Sequence, residues 1–177
     1  RGKNPNLCID GGGSKHLAFS LGKEVYYFGP GLAGAWADAP AKISDATSSD
    51  PTPKIAFGYN KIHMIWTSNN EIFYSNSSDT RNWTVPRSIS NSVGTNSINP
   101  AFVIDKQDNA YVTWEEVANN IRYVYYARDL SDQWIQKVPI SQSTTRSSFR
   151  PSIDLDGTGM PSIAWEQDVD GTRDIFY

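Results

Sequence analysis

The sequence has one cysteine, two histidines and two methionines among its 177 residues. The single thiol, Cys8, cannot form a disulfide within the chain, and its apolar neighbours indicate an inert, buried side chain. His16 and His63 are far apart and have no spacing typical of a zinc site. These scarcities exclude a disulfide framework, and they leave no zinc motif.

Long apolar runs and clusters of basic residues are also missing. No segment is long and apolar enough to span a bilayer or to serve as the core of a signal peptide. The net charge is −3, from 16 basic and 19 acidic residues without a basic stripe, which argues against a nucleic-acid partner. No window has the apolar period of a helix. We therefore expect no nucleic-acid and no membrane partner.

The sequence does contain a repeated unit of about fifty residues. Each copy opens with a proline followed by an apolar run, and successive prolines lie 48, 47 and 51 residues apart: Pro5, Pro53, Pro100 and Pro151. The repeats cover residues 5–52, 53–99, 100–150 and 151–177, the last one incomplete, within a single domain 1–177. A constant period of this size indicates stacked supersecondary units.

Each repeat holds four short runs rich in β-branched and aromatic residues, separated by Gly, Asn, Asp, Ser and Pro. The second run ends in an aromatic residue, and the fourth runs from a Trp to Ile-Ser. All six Trp residues consequently fall in two columns of the repeat: Trp66, Trp114 and Trp165 with Phe19, and Trp36, Trp83 and Trp134. Four antiparallel strands per unit are typical of a propeller blade. The sequence predicts an all-β propeller with about 3.5–4 four-stranded blades.

The segment after the third strand resembles the Asp-box of sialidase-superfamily propellers, which runs Ser-x-Asp, a Gly-containing turn and an aromatic residue. Ser77, Asp79 and Trp83 form one degenerate copy. Asp129 and Trp134 form a second copy, in which an Ala replaces the Ser. The resemblance implies that these residues are structural, with the Asp accepting turn hydrogen bonds and the Trp packing between sheets. It also implies a secreted or cell-surface protein whose ligand site lies on the opposite face.

That opposite face collects the loops between second and third strands and between successive blades, where binding groups usually lie. Four arginines and two glutamates fall there: Arg122, Arg146, Arg150, Arg173, Glu115 and Glu166. Several guanidiniums around one rim suit a carboxylate, and the glutamates suit a pairing or acid–base role. The alternative interpretation is that these charges pair across blade edges and bind no ligand.

A catalytic set cannot be assigned. Phe149-Arg150-Pro151 is similar to the Tyr/Phe-Arg-Ile-Pro motif of sialidases, whose Arg binds the carboxylate of a sugar acid, but the Ile is missing. No Tyr-Glu nucleophile pair and no full arginine triad are present. We interpret the chain as a non-catalytic recognition propeller for a glycan or other small polar ligand. A sialidase-like glycoside hydrolase with an incomplete catalytic set and a protein-interaction scaffold are the alternatives.

Two expectations concern metals and self-association. Asp168, Asp170 and Asp174 alternate as in a Ca²⁺ loop, but Asp-Gly turns are common in hairpins, so we expect no metal and no cofactor. The fourth repeat stops after its third run, which leaves aromatic blade faces open. A homo-oligomer would complete the ring. A fragment of a longer protein is favoured equally, and a small four-bladed ring is the alternative.

Overall fold

The computed structural model describes residues 1–31, 36–37, 39–46, 49–92 and 94–177. Within these ranges it contains sixteen strands in four antiparallel sheets. No helix suited to crossing a membrane is found in these segments. The all-β prediction is confirmed, and each sheet, called a blade below, follows one repeat.

The first two blades have four strands each. Blade 1 contains β1 (Gly2–Ile9), β2 (Lys15–Leu21), β3 (Glu24–Phe28) and β4 (Ala41–Lys42). Blade 2 contains β5 (Thr52–Phe57), β6 (Ile62–Ser68), β7 (Glu71–Ser77) and β8 (Arg87–Ser88). In both blades each strand pairs with the one that follows it in the chain.

Blades 3 and 4 do not have four strands each. Blade 3 contains β9 (Asn96–Ile104), β10 (Ala110–Ala118), β11 (Ile121–Leu130), β12 (Gln133–Trp134) and β13 (Val138–Pro139). Blade 4 contains β14 (Ser148–Leu155), β15 (Pro161–Val169) and β16 (Thr172–Phe176). Both β12 and β13 pair with β11, so the outer position of blade 3 is divided between two short strands.

The fourth strands are much shorter than the predicted runs from Trp to Ile-Ser. In blades 1 and 2 only two residues pair with the third strand. Pro40 and Pro86 directly precede these two-residue strands and have no N–H to donate, so the ladder cannot extend backwards through them. Trp36 forms only an isolated bridge with Pro30.

The repeated proline marks a β-bulge. The register with the second strand shifts at this point in β1, β9 and β14. The residue before the proline has a positive φ in each case: 51° for Asn4, 51° for Asn99 and 48° for Arg150. A bulge at proline leaves no ladder donor unpaired. The first strands therefore begin before the proline, ahead of the predicted repeat boundaries.

The repeated Ile-Ser closes each of the first three blades. Its Ile N–H donates to the carbonyl of a third-strand residue, and its Ser Oγ accepts from the N–H of that same residue. The Ser bonds are 2.8–3.0 Å long and join Val25 to Ser44, Ile72 to Ser90 and Val124 to Ser141. The repeated Ile-Ser therefore fixes the end of each blade to its third strand by two hydrogen bonds.

Two members of each Trp column pack blades against each other. Trp66 stacks on Phe73 at 5.9 Å and is buried together with residues of blade 1; Trp114 is buried in the same way against blade 2. In the second column, Trp83 contacts Tyr27 of the preceding blade, with ring centroids 5.0 Å apart. Trp134 contacts Tyr74 at the same distance. The cores therefore lie between blades.

One face of blade 1 has no such cover among the described residues. Phe19 occupies the column of Trp66 and stacks on Tyr26 at 5.8 Å, but it is only partly buried. Leu7 and Ile9 of β1 are exposed on this face, and Trp36 stacks on Phe28 beside them. This face has the composition of a blade interface without the neighbouring blade.

The two histidines occupy equivalent positions of blades 1 and 2. Each lies buried on the second strand, and its Nδ1 lies 2.7 Å from a third-strand tyrosine hydroxyl, Tyr27 for His16 and Tyr74 for His63. Burial lowers the pKa of His63 from 6.5 to about 4, against the opposing effect of Asp108 nearby. Their separation of 47 residues equals the repeat period, which the sequence interpretation did not use.

We expect His63 to make folding pH-dependent. Because the pKa is lower in the folded state, stability is complete above pH 6.5 and is lost as the pH falls towards about 4. This interval corresponds to at most roughly 3 kcal/mol, at ~1.4 kcal/mol per pH unit. Urea denaturation between these pH values measures it. His63→Gln should flatten the profile, and an unchanged slope in that variant would contradict the assignment.

Candidate functional site

Five of the six predicted ligand residues come together where blades 3 and 4 meet. Glu115 and Glu166 lie at corresponding positions of β10 and β15, and Arg122 and Arg173 lie near the starts of the strands that follow. Arg150 is on the bulge of β14. With Phe149 they form the rim cluster, defined as Glu115, Arg122, Phe149, Arg150, Glu166 and Arg173.

Glu115 is fully buried and has three donors. Arg122 Nη1 donates to Oε2 at 2.7 Å, while the side-chain amide of Asn99 and the backbone N–H of Arg150 donate to Oε1, both at 2.8 Å. The bulges before the two prolines aim these last two groups at the carboxylate. Glu115 thus joins blade 3 to blade 4, and its lone pairs are used within the protein.

Glu166 is paired with two arginines at the surface. Arg173 Nη1 donates at 2.9 Å and Arg150 Nη1 at 3.0 Å. The hydrogen bond from Arg173, followed by that from Arg150, lowers the pKa of Glu166 below its usual value. Glu166 is therefore ionised at neutral pH, and a general-acid role is unfavourable for it.

Two guanidinium groups lie close to the ring of Phe149. Arg173 Cζ is 4.0 Å and Arg122 Cζ is 5.4 Å from the ring centroid, both within cation–π range. The side chain of Arg150, next in sequence, is 70% exposed. The exposed part of the rim cluster thus presents three guanidiniums, an aromatic ring and one carboxylate.

The sixth predicted residue, Arg146, pairs instead with Asp170, at 3.0 Å between Nη2 and Oδ1. Asp168, in the same predicted Ca²⁺ loop, lies 3.4 Å from Nε of Arg173. Two of the three alternating carboxylates are thus engaged by arginines. In the described part of the chain, no three His, Cys, Asp or Glu side chains are grouped as metal ligands.

Asp79 organises the turn after β7. Its Oδ1 accepts from the backbone N–H groups of Arg81 at 3.0 Å and Asn82 at 2.7 Å and from the hydroxyl of Ser77 at 3.2 Å. These bonds, led by that from the Asn82 backbone, lower the pKa of Asp79 to about 2. Trp83 follows this turn and packs on blade 1, so all three residues make structural contacts.

Asp129 behaves differently from Asp79. It is buried, its Oδ1 has no hydrogen-bond partner among the described residues, and its Oδ2 lies 3.8 Å from Nη2 of Arg87. Burial raises its pKa. The hairpin between β11 and β12 turns through Ser131 and Asp132, both at positive φ, so it needs no carboxylate cap. Trp134 pairs with Asp129 in the ladder and packs on blade 2.

A cavity of about 560 Å³ lies at the other end of the blades, among the hairpins that follow the first strands. Its three carboxylates are already engaged: Asp105 accepts from Asn109 and Tyr111, Asp156 accepts from Thr158 and Met160, and Asp154 accepts from the backbone N–H of Leu155. Asp105 and Asp156 therefore cap their own turns. We favour the rim cluster as the functional site because its guanidiniums and aromatic ring reach solvent.

One ion pair was missed by the sequence interpretation. Glu116 is buried on the face of β10 opposite Glu115, and Lys137 Nζ lies 2.6 Å from its Oε2. Hydroxyls of Ser92 and Thr95 also donate to Glu116, at 3.1 and 3.0 Å. The available signal was the pair of consecutive glutamates in a strand, since neighbours in a strand face opposite sides.

No protein-family model matches the sequence, and no curated protein matches it significantly. The structure is similar to a protein of unknown function from Dyadobacter fermentans (TM-score 0.66, 11% identity, 96% of this chain and 66% of that one). It is also similar to a PL25 ulvan lyase (0.65, 11%, 98% and 55%). A third similar structure is Penicillium chrysogenum α-L-arabinanase complexed with arabinobiose (0.57, 10%, 93% and 56%).

The chain spans less than two thirds of the length of these three proteins, between 55 and 66%. At 10–11% identity the likeness shows the fold alone. The chain has a β-propeller fold, built in the described residues from four antiparallel sheets.

Proposed function

We propose that this propeller recognises an acidic glycan through the rim cluster and does not itself catalyse a reaction. The observation that carries the proposal is the Phe149 ring within cation–π range of both Arg122 and Arg173, next to the exposed Arg150. Two of the three similar structures described above are a polysaccharide lyase and an arabinanase, which supports a glycan as the ligand class.

The charges of the cluster favour an anionic sugar. Arg150 and Arg173 both donate to Glu166, so a carboxylate or sulfate from a ligand would take the place of that side chain on Arg150. Since Arg150 is mostly exposed, this exchange requires no opening of the core. The ring of Phe149 offers an apolar surface beside the charge.

The two glutamates do not support hydrolysis. Glu115 is buried with three donors, and Glu166 is held ionised by two arginines, so neither is suited to protonate a leaving group. The sialidase-like hydrolase is therefore the weaker candidate. The secreted or cell-surface location expected from the sequence stays a prediction.

Replacement of Arg150 by Ala should weaken binding of a glucuronate-containing disaccharide about tenfold or more, because a charge-assisted hydrogen bond is lost. Isothermal titration calorimetry measures the effect. Arg146→Ala is the matched control: it removes an exposed arginine whose partner is Asp170, and it should leave the affinity unchanged. The same disaccharide with its carboxylate reduced to an alcohol should bind weakly to the Arg150→Ala and Arg146→Ala variants alike.

Three outcomes would contradict the proposal. Equal losses for Arg150→Ala and Arg146→Ala would indicate non-specific charge attraction. Turnover of a fluorogenic sialoside that Arg150→Ala abolishes would favour the hydrolase. Absence of both binding and turnover would favour the protein-interaction scaffold.

A further inference from the structure

A second cavity lies between blades 1 and 2, at the end of β6 that leads into the Asn69-Asn70 turn. Its volume is about 470 Å³, within the range of small-molecule sites. Blade 1 contributes Lys42, Ile43, Ser44, Asp45 and Ala46, and blade 2 contributes Trp66, Ser68, Asn69, Phe73, Val85 and Pro86. None of these residues belongs to the rim cluster.

The next blade interface shows what normally fills this position. Ser68 corresponds to Glu116, because each lies two residues after the Trp of its second strand. Pro86 corresponds to Lys137, because each precedes the short strand that pairs with the third. Between blades 2 and 3, the Glu116–Lys137 ion pair and its serine and threonine partners occupy the space. Between blades 3 and 4, Gln167 accepts from the hydroxyl of Ser148 at 3.2 Å.

Smaller residues stand at these positions between blades 1 and 2. Ser68 is 1% exposed, and its Oγ has no hydrogen-bond partner in the part of the chain that the structure describes. A buried hydroxyl without a partner is costly and is normally satisfied by protein, water or a ligand. Ser68 is therefore a polar group at a cavity wall whose protein partner, present in the other two interfaces, is missing.

The other walls define the chemistry of an occupant. Phe73 and Pro86 provide aromatic and aliphatic surface, while Trp66 and Ile43 also line the cavity but are themselves almost fully buried. Lys42 lies at the edge and pairs with Asp45 at 3.1 Å and with Glu24 at 3.3 Å, so its charge is neutralised within the protein. A neutral ring with an apolar face and several hydroxyls matches this combination.

We infer that this cavity between blades 1 and 2 binds a single neutral sugar unit, with Ser68 Oγ as a hydrogen-bond partner and the aromatic wall against the ring. The inference takes its ligand class from the proposed function, whereas the position of the site is independent of the rim cluster. A chain with both sites would contact a glycan at two points of its rim.

The test is ¹H–¹⁵N NMR titration of the chain with methyl β-D-xylopyranoside at millimolar concentrations. We expect shift changes at Ser68, Asn69 and Phe73 in the wild type. Ser68→Ala, which removes only the hydroxyl, and Ser68→Val, which also adds apolar bulk, should both weaken the response about fivefold or more. The double variant Ser68→Glu with Pro86→Lys copies the filled interface and should abolish it. Thermal melting establishes that each variant folds, and the valine variant keeps the test valid if the double variant does not.

The proposed acidic-glycan site at the rim cluster and the inferred sugar site between blades 1 and 2 can be refuted independently of each other. Arg150→Ala should leave the xyloside shifts intact, and Ser68→Val should leave the binding of the acidic disaccharide intact. Absence of shifts in the wild type, or shifts that persist unchanged in Ser68→Val, would overturn this inference alone. Shifts produced by free indole but not by the xyloside would overturn the sugar assignment.

Discussion

Trp114→Ala should lower the free energy of unfolding by about 3–5 kcal/mol, as expected for removing a large buried side chain. Trp114 is fully buried between blades 2 and 3 and stacks on Tyr125 at 6.0 Å. The cavity left by the indole would lie between two rigid sheets that cannot easily collapse into it. Urea denaturation followed by circular dichroism measures the change.

Phe19→Ala is the matched control because Phe19 occupies the same column of blade 1 but is only partly buried. At low protein concentration, Phe19→Ala should lower the free energy of unfolding by clearly less than Trp114→Ala does. An equal loss of unfolding free energy in the two variants would contradict the finding that this face of blade 1 is uncovered. The self-association expected from the sequence stays a prediction, and it would appear as a concentration-dependent cost of Phe19→Ala together with a dimer in sedimentation.

Glu115→Ala should destabilise the chain by about 3 kcal/mol, because three donors would lose their acceptor at once. The Arg150 N–H is fixed by the bulge and cannot turn to solvent without distorting β14, whereas the Asn99 donor is a side-chain amide. Arg122 can reach water, which limits the loss. The measurement is the urea midpoint at neutral pH.

Glu166→Ala provides the comparison for Glu115, since it removes a carboxylate at the corresponding position of the next blade, one that is paired with two arginines at the surface. We expect almost no change in its midpoint, because surface ion pairs contribute little. Similar losses for both variants would show that Glu115 does not join blades 3 and 4 in the way its hydrogen bonds indicate.

Much of the fold could be predicted because the same local pattern occurs four times. The hairpin at Asp170-Gly171 has φ of 49° and 87°, as the Asp-Gly pair predicted. The Ile-Ser and Trp columns corresponded to blade closure and blade packing. The proline-centred bulges were not predicted, because a proline gives no sign of which partner residue it leaves unpaired.

The candidate site was less accessible to prediction. Glu115 and Glu116 are adjacent and chemically identical, yet Glu115 pairs with Arg122 near blade 4 and Glu116 pairs with Lys137 near blade 2. Strand alternation predicts that they face opposite sides. It does not predict which blade covers each side. Arg146 illustrates the converse, because it lies in the predicted loop but pairs with Asp170.

The sequence by itself determined the strands, the turns and the blade repeat, because these depend on backbone conformation and on residues close together in the chain. Only the tertiary structure decided which charges pair and where space remains between blades. Ser68, Pro86 and Ala46 come from separate segments, and the cavity they border exists only because the blades bring them together. A volume between surfaces depends on all the side chains that meet there, and no local pattern records it.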